Sequence, residues 1–135
     1  SILLKNDKLN SLLQQLPGKK FIYTNGSKSH ATNVLDALGV SENFSGIFDI
    51  KDADFEPKPD KKSMQTFLKK FSIQPNKAIM LEDMAINLKT AKQFGVKTIW
   101  IKTKYSWSES NDVDYIDFVT KNIENWLSKF IKECN

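Results

Sequence analysis

The sequence contains no arginine and a single cysteine, and each scarcity argues against a class of function. All twenty basic residues among the 135 positions are lysines, and they are scattered rather than gathered into a stripe with aromatic residues. Surfaces that bind nucleic acids usually concentrate their charge and use arginine for bidentate contacts. We therefore expect no nucleic acid polymer as a partner. Cys134 cannot form an internal disulfide, which favours a reducing, cytoplasmic location.

Long apolar runs are also lacking. No segment is long enough to cross a bilayer and no signal peptide is visible, so we expect no membrane association. The chain has 40% hydrophobic and 27% charged residues, which is ordinary for a globular protein. Its length predicts one domain, covering residues 1–135, with a core of its own.

Helical and strand-like segments alternate along the chain. Strands are predicted at "FIY", "SGIFDI", "AIML", "KTIWIK" and "YIDFV", and "KYSWSESNDVD" is the predicted linker. Between them lie helical patterns such as "KLNSLLQQL", "KSHATNVLDALG" and "DKKSMQTFLKKF", together with residues 83–94 and a terminal helix. This alternation predicts an α/β fold with a mostly parallel sheet.

Polar residues follow the predicted strands, and ligands of such sheets bind at the carboxyl ends of the strands. Thr24, Asn25 and Gly26 follow the first strand, Lys58 lies in the loop after the second, and Glu82 and Asp83 follow the third. A hydroxyl group and backbone amides suit phosphate oxygens, and a lysine neutralises a transferring phosphoryl group. Two carboxylates suit Mg²⁺. Together these residues predict a phosphate and magnesium site.

Each segment alone also has a simpler interpretation. Thr24 to Gly26 could be only a turn, with Ser27 as the cap of the next helix. Lys58 could be a solvated loop lysine, and the acidic pair could be a helix start favoured by the helix dipole. Asp52 and Asp54 are interpreted as loop surface rather than as ligands.

Three segments resemble, in order and spacing, motifs II, III and IV of the haloacid dehalogenase (HAD) superfamily: "FIYTNG", "PKPD" and "MLEDMAINLKTA". The resemblance covers residues 9–101. Within the superfamily, "FSGIFDIKDADFEPKPD" and the ED-x-x-x-N form of motif IV are most similar to the pyrimidine 5′-nucleotidase subgroup. The resemblance implies a three-layer, Rossmann-like core and a Mg²⁺-dependent phosphatase acting on a small phosphorylated substrate, a nucleoside 5′-monophosphate.

The same resemblance assigns roles to individual residues. Thr24 and Lys58 would act in catalysis by contacting the phosphoryl group, and Asn25 and Gly26 would shape the turn that binds it. Asp83 would bind Mg²⁺, with Glu82 as a direct ligand or beside one. Asn87 would support the metal site from one helical turn further along.

Motif I of the family has no counterpart here, since no strand ends in D-x-D-x-T. That motif supplies the nucleophilic aspartate and the general acid, and it should precede motif II together with a cap. We therefore expect a partial core that lacks the motif I strand and the cap. Alone it should be inactive, functioning only with its N-terminal half or with a second copy.

Two other classes remain open. A phosphorylatable receiver domain also combines an acidic site, a threonine and a Lys-Pro in an α/β sheet, although it needs its acidic residues before the threonine. A non-catalytic fragment, stable only in association with another polypeptide, is the third possibility.

Overall fold

The computed structural model describes residues 4–55, 58, 60–104 and 114–134. Its contacts divide the chain into two compact units, a first unit of residues 1–55 and 124–135 and a second unit of residues 56–123. The expectation of one domain over residues 1–135 stays a prediction. The linker predicted over residues 104–114 lies almost wholly outside the described residues.

The first unit consists of helices around a two-stranded parallel sheet. Strand β1 (Phe21–Tyr23) pairs with β2 (Gly46–Phe48), so that Tyr23 lies opposite Phe48. The helices are α1 (Asp7–Gln15), α2 (Lys28–Leu38) and, from residue 124 onward, α5 (Ile123–Cys134). The buried apolar residues of this unit include Leu13, Leu35, Val40, Phe48, Leu127 and Ile131.

The second unit contains a three-stranded parallel sheet in the order β3-β4-β5. The strands are β3 (Ile79–Glu82), β4 (Lys97–Ile101) and β5 (Phe118–Thr120). The helices are α3 (Lys61–Lys70) and α4 (Leu88–Gln93). Its buried apolar residues include Met64, Leu68, Ala85, Leu88, Ile99 and Trp100.

Local sequence signals explain several helix ends. Asp60 caps α3 by accepting a hydrogen bond from the backbone N–H of Ser63 at 3.0 Å, as expected of an aspartate at this position. Gly39 ends α2 in the left-handed conformation with φ 73°, which glycine adopts without strain. The alternation of helices with parallel strands confirms the predicted α/β fold class.

Two predicted boundaries are wrong. The helix expected over residues 83–94 begins instead with a 3₁₀ turn at Ala85–Asn87, and α4 starts only at Leu88. The last strand begins at Phe118 rather than at Tyr115. In the described part of the chain, no helix has both the length and the apolar character needed to cross a membrane.

Candidate functional site

The turn after β1 in the first unit is closed by its own polar atoms. The Thr24 N–H donates to the Phe48 carbonyl at 2.9 Å, which places Thr24 at the carboxyl end of the parallel pair. The Thr24 hydroxyl oxygen accepts a hydrogen bond from the Gly26 N–H at 3.0 Å. Because that bond uses the oxygen as an acceptor, the hydroxyl proton can be donated to another group. Asn25, between them, is exposed.

The start of α2 follows this turn directly and is held by two side chains. The Ser27 hydroxyl oxygen accepts from the His30 N–H at 3.1 Å, which confirms Ser27 as the helix cap. One oxygen of Asp49 accepts from the Lys28 N–H at 3.0 Å. These bonds satisfy backbone donors that a helix start would otherwise leave without partners.

Asp49 has a structural role that was not expected from the sequence. Its side chain is buried, and its second oxygen accepts from the Asp52 N–H at 2.9 Å while the Asp49 N–H donates to Asp52 at 3.0 Å. The available signal was its position immediately after β2, where polar residues of a parallel sheet collect.

In the second unit, three of the residues singled out from the sequence meet at the end of β3. The Lys58 ammonium lies 2.9 Å from one oxygen of Glu82, and the two side chains are only 8% and 10% exposed. The Asn87 amide donates to the other Glu82 oxygen at 2.8 Å. Lys58 is therefore not a solvated loop lysine, and Glu82 is the acceptor that joins the loop of Lys58 to the segment that contains Asn87.

Asp83 is placed differently from its neighbour Glu82. It is exposed, and its carboxylate makes no hydrogen bond or ion pair with any residue that the structure describes. Its backbone carbonyl accepts a hydrogen bond from the Trp100 indole at 3.0 Å. Because that carbonyl points to the indole and Met84 is extended, the helix cannot begin at Asp83. This explains the wrong helix start.

The carboxylate oxygens at the end of β3 fit one part of a magnesium coordination sphere. Mg²⁺ requires about six oxygen ligands in near-octahedral geometry. Asp83 offers an unengaged carboxylate, whereas both Glu82 oxygens already accept from Lys58 and Asn87. Within the described ranges, no group of three or more histidine, cysteine, aspartate or glutamate side chains is arranged to hold a metal ion. Asp83 could therefore contribute one ligand, and the others would come from groups outside this set.

Each unit places polar side chains at the carboxyl ends of parallel strands, which is where α/β enzymes bind their ligands. Residues 6–101 match the family described as haloacid dehalogenase-like hydrolase. The chain belongs to that family. This membership favours the hydrolase over the receiver-domain alternative.

Among curated proteins, the chain is similar to the glyceraldehyde 3-phosphate phosphatase of Pyrococcus furiosus. The two sequences are 33% identical over 85 residues, which is 60% of this chain and 35% of that protein. The chain thus spans about a third of the length of this relative.

Solved structures share the fold at low sequence identity. The HAD phosphatase of Thermococcus onnurineus matches with a TM-score of 0.74 and 20% identity, over 96% of this chain and 57% of that one. The HAD hydrolase YfnB of Bacillus subtilis, described as bound to magnesium, matches with a TM-score of 0.71 and 18% identity, over 93% of this chain and 54% of that one. These likenesses confirm the HAD-like core, of which the chain represents a part.

Proposed function

We propose that this chain carries motifs II to IV of a Mg²⁺-dependent phosphomonoester hydrolase whose intact form acts through an aspartyl-phosphate. The observation that carries the proposal is the Lys58–Glu82 ion pair at the end of β3, 2.9 Å long and shielded from water. A lysine held in a shielded position by a carboxylate is a fixed positive charge. Such a charge stabilises a phosphoryl group more effectively than a mobile surface lysine.

Thr24 would bind the phosphoryl group through its hydroxyl proton. The Gly26 N–H fixes the hydroxyl oxygen from one side, so the proton is directed away from that bond. Asn25 and Gly26 would shape the turn around the phosphate. Ser27 and Asp49 support this turn indirectly, because they hold the helix start that follows it.

Asp83 would hold Mg²⁺ through its exposed carboxylate. Glu82 would either bind Mg²⁺ directly or act on the site indirectly, through the Lys58 ammonium and the Asn87 amide that it contacts. When bound, Mg²⁺ supplies positive charge that neutralises phosphoryl oxygens and orients the group. The magnesium described for YfnB supports the choice of metal.

The nucleophilic aspartate and the general acid would come from a motif I segment outside this sequence. Its source would be an N-terminal half of a longer protein or a second polypeptide, so the chain alone would be inactive. We also propose a cytoplasmic location. The proposed substrate is a nucleoside 5′-monophosphate, supported by the resemblance to the pyrimidine 5′-nucleotidase subgroup. The phosphatase name of the Pyrococcus relative supports phosphoester hydrolysis more broadly.

A substrate panel tests the reaction class and the substrate separately. The intact protein, with its motif I segment, should release phosphate from UMP or CMP faster than from glyceraldehyde 3-phosphate. Preference for glyceraldehyde 3-phosphate would contradict the nucleotide assignment while leaving the phosphatase intact. Halide release from 2-chloropropionate without phosphate release from any ester would refute the phosphatase itself.

Two substitutions test the roles of the site residues in that protein. Asp83→Asn should lower turnover by about 100-fold and raise the Mg²⁺ concentration needed for activity, because a metal ligand is weakened. Lys58→Met should lower turnover by about 100-fold or more without changing the Mg²⁺ requirement. The matched controls are Asp114→Asn and Lys61→Ala, both exposed and in the same unit. Undiminished turnover in both site variants would contradict the assignment.

Magnesium binding to the chain by itself gives a second test. Since Asp83 is the one unengaged carboxylate of the acidic pair, we expect only weak Mg²⁺ binding in a calorimetric titration. Asp83→Asn should remove what binding there is, and Asp114→Asn should leave it unchanged. Tight, specific binding would show that the metal site is complete without motif I.

A further inference from the structure

Gly26 leaves an open space beside the turn that follows β1. A Cβ atom at this position would lie 3.4 Å from the Thr24 hydroxyl oxygen and 4.0 Å from Cδ2 of His30, which are ordinary contact distances. The φ angle of Gly26 lies outside the left-handed region, so its backbone conformation does not require glycine. What the missing side chain provides is space between the Thr24 hydroxyl and the His30 ring.

His30 borders this space from the first turn of α2. Its backbone N–H donates to the Ser27 hydroxyl oxygen at 3.1 Å, which fixes the position of the residue. The ring is exposed, and its Cδ2 atom, which faces the space, is bonded to Nε2, a nitrogen that can donate a hydrogen bond. Across residues 4–55 and the other described ranges, neither ring nitrogen makes a hydrogen bond or an ion pair. The imidazole is therefore available to a ligand.

Two acids lie near the start of α2, and both are engaged by other groups. Asp49 accepts hydrogen bonds from the N–H groups of Lys28 and Asp52, at 3.0 and 2.9 Å. The Asp52 carboxylate lies 3.5 Å from the Lys28 ammonium. Because these carboxylates interact with donors and with a positive charge, they repel an incoming anion less. The amino end of α2 adds a positive partial charge next to His30.

We propose that the space beside Gly26 holds a phosphoryl oxygen of the substrate and that His30 is a further substrate-binding residue, which donates a hydrogen bond to the phosphoryl group from Nε2. This inference rests on the proposed phosphatase function and adds a residue to it. From the position of the Cβ atom, a shift of about half an ångström toward Thr24 brings an oxygen within hydrogen-bond distance of the hydroxyl. Histidine donates to phosphate both as a neutral ring and as a cation.

The imidazole signals of this chain report on His30 alone, since the sequence contains a single histidine. In an NMR titration the probe is inorganic phosphate, added at constant pH and ionic strength, with chloride as the control anion. Phosphate should shift the ring protons of His30 and the amide of Gly26 along one saturating curve, whereas chloride should not. Shifts of the Gly26 amide without the His30 ring would overturn the role of His30, as would the absence of any saturable shift.

Gly26→Ala tests the space itself. The substitution adds only the Cβ atom that would occupy it, in a backbone conformation that alanine can adopt. Phosphate binding in the same titration should weaken by about tenfold or more, without a loss of stability in urea unfolding. Asn33→Ala, at an exposed position further along α2, should leave phosphate binding unchanged. Unweakened binding in Gly26→Ala would overturn the proposal.

Kinetics of the intact protein, with its motif I segment, separate this proposal from the phosphatase assignment. His30→Ala should raise KM for the phosphate ester by about tenfold and change kcat far less than Lys58→Met does, because a contact made equally before and during the reaction is lost. His30→Gln retains an N–H donor and should recover most of the affinity. An unchanged KM in His30→Ala would overturn the role of His30 and leave the phosphatase standing. Absence of turnover in the unchanged protein would refute the phosphatase, and the phosphate titration of this chain would then decide on the phosphate contact alone.

Discussion

The two units each carry a polar strand end, but they build it in different ways. After β1, the turn from Thr24 to Ser27 is held by short side chains and backbone amides, with bonds spanning two or three residues. After β3, Glu82 is held by Lys58 and Asn87, which are 24 and 5 residues away along the chain. The first arrangement consists mainly of local hydrogen bonds, joined to the strand end after β2 by the Thr24 N–H and the Asp49 carboxylate. The second depends on desolvated charges, so it should be far more sensitive to the loss of a single side chain.

The largest expected effect is that of Glu82→Ala. Removing the carboxylate takes the Glu82 ion pair away from the Lys58 ammonium, whose side chain is only 8% exposed. Breaking a buried pair on one side costs about 3 kcal/mol or more, because the remaining charge stays desolvated. Urea unfolding should show a fall of that order in the free energy of unfolding.

The double variant Glu82→Leu, Lys58→Met is the matched control for this prediction. It removes both charges and retains apolar volume, so it should recover most of the lost stability. If the single and double variants are equally destabilised, the ion pair is not responsible. The strand end after β3 would then depend on packing, and the contrast with the turn after β1 would fail.

Elements with local signals could be predicted from the sequence. Gly39 at the end of α2, Ser27 at its start and Asp60 before α3 each act through a conformation or a hydrogen bond within three residues. Apolar periodicity placed the helices, and the alternation of helices and strands gave the parallel fold class. The order of the three motifs led to the family, because it depends on residues placed after strands rather than on tertiary contacts.

Contacts between residues that are far apart along the chain could not be predicted from the sequence. The Trp100 indole, 17 residues away along the chain, donates a hydrogen bond to the Asp83 carbonyl. The 3₁₀ turn that precedes α4 therefore begins only at Ala85. The burial of Asp49 depends on the pairing of β1 with β2. Asp49 therefore stabilises the backbone, although it lies in a segment with several acidic residues. The pairing of Lys58 with Glu82, rather than with solvent, also required the folded second unit.

A smaller effect is expected in the first unit from Asp49→Ala. The buried carboxylate accepts from the N–H groups of Lys28 and Asp52, which would both lose a partner. Leaving such donors unsatisfied costs about 1–3 kcal/mol, partly offset where water can enter. Urea unfolding should therefore show a loss of about 2 kcal/mol, less than for Glu82→Ala.

Two controls sharpen the Asp49 prediction. Asp49→Asn retains one carbonyl acceptor and should lose less stability than the alanine variant. Asp36→Ala changes an exposed acid on α2 and should stay within about 0.5 kcal/mol of the unchanged protein. A loss with Asp49→Ala as large as that with Glu82→Ala would show that the strand ends of the two units are equally sensitive to the loss of one carboxylate.

The smallest effect concerns Asp117, the partner of Lys92 in the second unit. The hydrogen bond from the Lys92 ammonium, helped by the Thr98 N–H, holds the pKa of Asp117 below its ordinary value, against the opposing effect of partial burial. A carboxyl group whose pKa is lowered by folding stabilises the protein above its unfolded pKa. That contribution is lost as the pH falls through the lowered pKa.

Asp117→Asn should therefore destabilise the protein at neutral pH by about 1 kcal/mol or less, since the pair is more exposed than Lys58–Glu82. The difference from the unchanged protein should be constant above about pH 5 and shrink below about pH 4. Urea unfolding across that pH range measures this difference in stability. For the control variant Asp114→Asn, the difference from the unchanged protein should not change with pH in this way. A difference for Asp117→Asn that persists unchanged at low pH would mean that the side chain acts through its shape and neutral hydrogen bonds. Exposure would then not explain why the Lys58–Glu82 and Lys92–Asp117 pairs differ in strength.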